Sequence, residues 1–159
     1  MFFDYSQNNS VLSPTYQVSG LPTNSDLIGT PYEHADETIL GLIELMNSNP
    51  QLKNKYKITS LYRANAKTPQ GLDSFHAFGK AMDIIPVGTS FAELEKIIMQ
   101  DRQLVDYMRR NNIGILDEYT ENGYQARTGA TGNHMHFGPD KNALKFMRTL
   151  LNKYGYGEN

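Results

Sequence analysis

Ser74-Phe75-His76-Ala77-Phe78-Gly79-Lys80-Ala81-Met82-Asp83-Ile84-Ile85-Pro86 carries the chain from a loop into a strand. A short strand is predicted around Ala81 to Ile85 and stops at Pro86, which cannot donate to a sheet ladder. Small residues at Gly79 and Ala81 let the preceding loop fold back, so that His76 and Asp83 can meet at one point. A second short segment, His134-Met135-His136-Phe137, alternates polar and apolar side chains as a half-buried strand does. Both of its histidines should project from one face.

Working outward, Tyr56 to Tyr62 is rich in β-branched and aromatic residues and reads as a strand that delivers Arg63 at its end. Ala64 to Ser74 is then a loop. Downstream, Ser90-Phe91-Ala92-Glu93 is a capping box opening a helix through about Met99, and Asp101 caps another carrying Leu104, Val105 and Met108. Asn111 to Gly114 reads as its stop and Ile115 to Tyr119 as a strand. A Gly- and Thr-rich loop runs to Asn133, and Asp140 caps a final helix with Leu144, Met147, Leu151 and Tyr154 on one side.

Upstream of the first strand, Thr30-Pro31-Tyr32-Glu33 has the form of a helix start, with Thr30 as cap and Glu33 closing the box. The helix should run to about Asn47, with Ile39, Leu42, Ile43 and Met46 as its core stripe. Residues 1–29, rich in Ser, Asn, Pro, Thr and Tyr without a sustained period, read as an extended arm before a single domain over 30–159. The pattern predicts an α+β fold in which helices pack against a small antiparallel sheet.

At 159 residues the chain suits one compact domain with a proper core. Its hydrophobic fraction of 39% and charged fraction of 20% are those of a globular protein, not of a disordered or fibrous one. A formal charge of -2 offers no broad basic surface, so neither nucleic acid nor a membrane is an expected partner. The chain has no cysteine, which excludes disulfides and thiolate metal sites and leaves nitrogen and oxygen as the only strong ligands.

Three of the four histidines fall in the two segments already quoted. A catalytic zinc site commonly uses three protein ligands and keeps a fourth position for water. His76, Asp83 and one strand histidine would supply such a set. Two imidazoles and a carboxylate suit zinc, whereas calcium or magnesium would call for more oxygen ligands.

The pattern Ser-x-His-x-x-Gly-x-Ala-x-Asp followed by His-x-His resembles the zinc D-Ala-D-Ala carboxypeptidase and L-Ala-D-Glu endopeptidase family, which includes bacteriophage endolysins. Ser60-Leu61-Tyr62-Arg63 is similar to that family's Ser-x-Tyr-Arg signature, so the motifs extend over roughly residues 58–138 in the family's order. The resemblance implies a hedgehog/DD-peptidase-like fold and one zinc ion per chain, held by His76, Asp83 and His136. It implies that His134 acts on the transition state or supports a ligand, and that Arg63 and Ser74 bind substrate. Bacterial peptidoglycan peptides would be the substrate, cut as a carboxypeptidase or an endopeptidase does.

One departure concerns the general base. Many members of the family place an acidic residue three positions before the last histidine ligand, but this chain has Asn133 there. Glu118 on the neighbouring predicted strand is the first replacement, with Asp117 and Glu121 behind it. The alternative reading of Asn133 is a catalytically inactive zinc domain serving as a structural or wall-binding component of a phage particle, in contact with virion proteins. No secretory signal is recognised at the amino terminus. The expected routes to the wall are holin-type release from the host cytoplasm or carriage on the virion.

Overall fold

The computed structural model describes residues 34–118 and 133–157. Among these residues there are four helices, α1 (Glu37–Ser48), α2 (Phe91–Gln100), α3 (Arg102–Arg110) and α4 (Lys141–Lys153). The four strands are β1 (Tyr56–Ser60), β2 (Met82–Pro86), β3 (Gly114–Glu118) and β4 (His134–Gly138), with a 3-10 turn at Phe75–Phe78 between β1 and β2. The strands form one antiparallel sheet in the order β1-β2-β4-β3. The fold is α+β, as the sequence predicts. The amino-terminal arm lies outside the described residues.

The sheet's two faces differ sharply in chemistry. Ile58, Ile84, Met82, Met135, Phe137 and Ile115 are all fully buried and join the helical core residues Ile39, Ile43, Met46, Leu94, Ile98 and Leu104. Each such side chain contributes roughly 1.5–3 kcal/mol through burial, so this face anchors the sheet. On the opposite face the register aligns Ser60, Asp83, His136 and Leu116 in one row across the four strands. Glu118 pairs with His134 in the adjoining row. The anchored face thus fixes the positions of the polar one.

Local signals set most helix starts. Ser90 Oγ accepts from Glu93 N at 3.1 Å and Asp101 Oδ1 from Leu104 N at 3.1 Å, which satisfies first-turn amides as the two caps require. The start of α1 differs from expectation. The Thr30–Glu33 box is outside the described residues, and the helix begins only at Glu37, with Asp36 as its cap. Asp36 N donates to Gly79 O at 2.9 Å, which ties the entering chain to the 3-10 turn and holds residue 36 extended.

Two strand ends also shift. β1 stops at Ser60 and does not continue to Tyr62, because Leu61 and Arg63 turn their backbone groups to His76. β3 begins at Gly114, one residue early, and Tyr119 lies outside the described residues.

Candidate metal centre

His76 is presented by the 3-10 turn, whose geometry is fixed at both ends. Ser74 Oγ accepts from His76 N at 3.2 Å to cap its start. Gly79 closes it in the left-handed region, at φ 69°. A Cβ at position 79 would lie 2.0 Å from His34 O, so glycine is required here by conformation and by contact. His76 Nδ1 lies 2.7 Å from Leu61 O and donates its proton there. Its Nε2 is thereby turned toward Asp83, 3.3 Å from Oδ2.

Asp83 and His136 are register partners on β2 and β4, and His136 Nδ1 lies 2.8 Å from Asp83 Oδ1. The other nitrogen, Nε2, lies 2.7 Å from Asp140 Oδ1. His76, Asp83 and His136 are all buried, and one ligand atom from each lies within 4.8 Å of the others. Ligands about 2.0–2.2 Å from a tetrahedral ion are about 3.3–3.6 Å apart, a range that the 3.3 Å between His76 Nε2 and Asp83 Oδ2 already meets. The three residues can therefore hold a metal ion.

The electrostatics of the site support this use. Burial by itself would raise the Asp83 pKa, but hydrogen bonds from His136 and His76 hold it well below the usual carboxylate range. Burial would lower that of His136, yet its bonds to Asp140 and Asp83 push it up to about 10. In the protein without metal, His136 is thus an imidazolium between two carboxylates. An incoming cation would take over its charge role and displace the proton.

His134 projects from the same face as His136, as the alternation predicts. Its Nε2 is 3.4 Å from Glu118 Oε1 and 3.6 Å from Asp83 Oδ2. Burial works against its protonated form, but Glu118 and Asp83 outweigh it and raise the pKa. The metal residues, His134, Glu118, Arg63 and Ser74 all line one cavity of about 730 Å³. Its mouth includes the 67–73 hairpin, where Lys67 and Asp73 form an ion pair and Thr68 N donates to Leu72 O at 2.8 Å.

The expected metal ligands His76, Asp83 and His136, together with Arg63, Ser74, Glu118 and His134, fall around this cavity. Of the replacements for an acidic residue at Asn133, Glu118 reaches the site. Asp117 pairs with Met135 and so belongs to the core face of the sheet, away from the cavity. Glu121 lies outside the described residues. Ser74 spends its hydroxyl on the turn that carries His76, a positioning role beside the substrate-binding one expected.

Two partners are not legible in the sequence. Leu61 acts through its carbonyl, which no side-chain motif records. The sequence predicts Asp140 as a helix cap, but its carboxylate makes no capping hydrogen bond and is given to His136. Comparison of the chain with protein-family models, with curated proteins and with solved structures finds no match.

Proposed function

We propose that the protein is a zinc-dependent peptidase that hydrolyses an amide bond in bacterial peptidoglycan peptides, as a phage endolysin or virion-associated wall hydrolase does. The observation that carries this reading is a buried His76, Asp83 and His136 set opening into a cavity that also holds an acid, a further histidine and an arginine. Nitrogen and oxygen ligands in a two-to-one ratio favour zinc over calcium or magnesium. The motif resemblance supplies the substrate class.

When bound, the ion would supply Lewis acidity and a water of near-neutral pKa. The protein's own residues then have separable tasks. Glu118, whose Oε1 already contacts His134, accepts a proton from the attacking water and returns it to the leaving amine nitrogen. His134 and Arg63 face the negative charge that develops on the carbonyl oxygen. Arg63 is anchored for this through its backbone, since Arg63 N donates to His76 O at 2.9 Å. Its guanidinium is left to the cavity, where it can also pair with a substrate carboxylate.

The reading is tested by incubating the protein with peptidoglycan from several bacteria, with chelator and with chelator plus restored zinc, and identifying released fragments by mass spectrometry. Release of defined peptides that chelation stops and zinc restores is the expected result. A folded, zinc-loaded protein that releases nothing would favour the non-catalytic wall-binding alternative.

A further inference from the structure

His136 is bonded to a carboxylate at each ring nitrogen, Asp83 at Nδ1 and Asp140 at Nε2. The nitrogen beside Asp83 is the one able to share an ion with it, so Nε2 is directed away from the ion and toward the start of α4. Asp140 occupies the N-cap position of that helix, where a carboxylate ordinarily accepts from first-turn amides. Here it makes no such bond. Gly138 provides the room for the arrangement: a Cβ there would lie 2.4 Å from Asp140 Oδ1 and 3.2 Å from His136 Nε2.

We propose that Asp140 is a positioning residue for the metal centre, accepting the Nε2 proton of His136 and so fixing the ring and the tautomer that leaves the Nδ1 lone pair for the ion. This rests on the metal reading given above. A neutral imidazole carries one proton, and an acceptor on one nitrogen decides that the other is the ligand. His76 is handled the opposite way, with Leu61 O taking its Nδ1 proton and Nε2 facing inward. The two histidines therefore present different nitrogens to one point, each chosen by an acceptor outside the ligand set. Only Asp140 brings a charge to that task, and Gly138 keeps the path between Asp140 and the ring clear.

The test is zinc affinity, measured by competition with a chromogenic chelator, for the wild type and for Asp140→Asn, Asp140→Ala and Gly138→Ala, with folding followed by circular dichroism. Asp140→Ala should weaken zinc binding by roughly 10–100-fold, the usual effect of losing such a partner. Asn keeps an oxygen acceptor without the charge and should lose less. Gly138→Ala should reproduce the loss with Asp140 still present, and carries the test if Asp140→Ala fails to fold. Long-range 15N–1H spectra of the zinc-loaded wild type should place the His136 proton on Nε2 and that of His76 on Nδ1, a signature that a merely structural Asp140 would not set. Unchanged affinity in folded Asp140→Ala or Gly138→Ala, or His136 bound through Nε2, would overturn the inference while leaving the metal site standing. A wild type that takes up no zinc overturns the metal reading and this one together.

Discussion

Zinc binding should release about one proton per ion near pH 7, and that proton should come from His136. In the metal-free protein, burial disfavours the His136 cation but Asp140 and Asp83 more than offset this, placing its pKa at about 10. Asp83 is already ionised, because His136 and His76 hold its pKa low. A ligand nitrogen must be deprotonated to bind, so the ion competes with one proton on His136. Apparent affinity should then rise about tenfold per pH unit, or about a hundredfold between pH 6 and pH 8, since one pKa unit is worth about 1.36 kcal/mol.

The linkage to stability has a definite sign. His136 has a folded pKa above its ordinary 6.5, so its contribution is fully present below that value and is lost as pH rises toward about 10. Asp83, with a lowered pKa, contributes above its ordinary 3.8 and loses that contribution as pH falls below it. The metal-free protein should therefore gain most from this pair between these two ordinary values. Zinc should stabilise the protein increasingly at higher pH, by about 4 kcal/mol when free zinc is a thousand times Kd. Calorimetric titration in buffers of different ionisation enthalpy counts the protons, and thermal unfolding with and without zinc follows the stability. Binding with no proton released between pH 6 and pH 8 would refute the reasoning.

Three further outcomes are expected. Gly79→Ala should destabilise the fold by about 1–2 kcal/mol from left-handed strain alone, and by more once the clash with His34 O is added, as read by urea unfolding. Glu118→Gln should remove peptide hydrolysis while leaving zinc affinity within about twofold of wild type, because Glu118 touches His134 and not the ligand set; hydrolysis at the wild-type rate would eliminate it as the base. Arg63→Ala should lower kcat/KM by roughly 10-fold or more, the worth of about 1.5–3 kcal/mol for a hydrogen bond to a charged group, with no change in zinc uptake.

The residues whose roles are legible in the sequence share a physical property: those roles depend on neighbours a few positions away. Ser90 and Asp101 are caps because each side chain reaches an amide three residues on, a contact any helix start there would make. His134 and His136 share a face because a strand has a period of two. Gly79 signalled a fold-back because a left-handed turn favours a residue without Cβ, and the structure places it in that conformation. From these the α+β fold and the His76, Asp83 and His136 grouping were legible.

What the sequence could not rank was the choice among equivalent groups, which long-range register makes. Glu118 and Asp117 are adjacent acids on one strand, and only the pairing of β3 with β4 turns Glu118 to the cavity and Asp117 to the core face. Asp140 satisfies every local rule for a helix cap, yet its carboxylate goes to His136, because the β4–α4 junction at Gly138 brings an imidazole N–H closer to hand. The α1 start and the end of β1 moved for the same kind of reason, each held by a backbone bond to the turn around His76. Local chemistry determined which residues were able to serve, and tertiary structure decided which of them do, since a hydrogen bond goes to the partner that packing brings within about 3 Å.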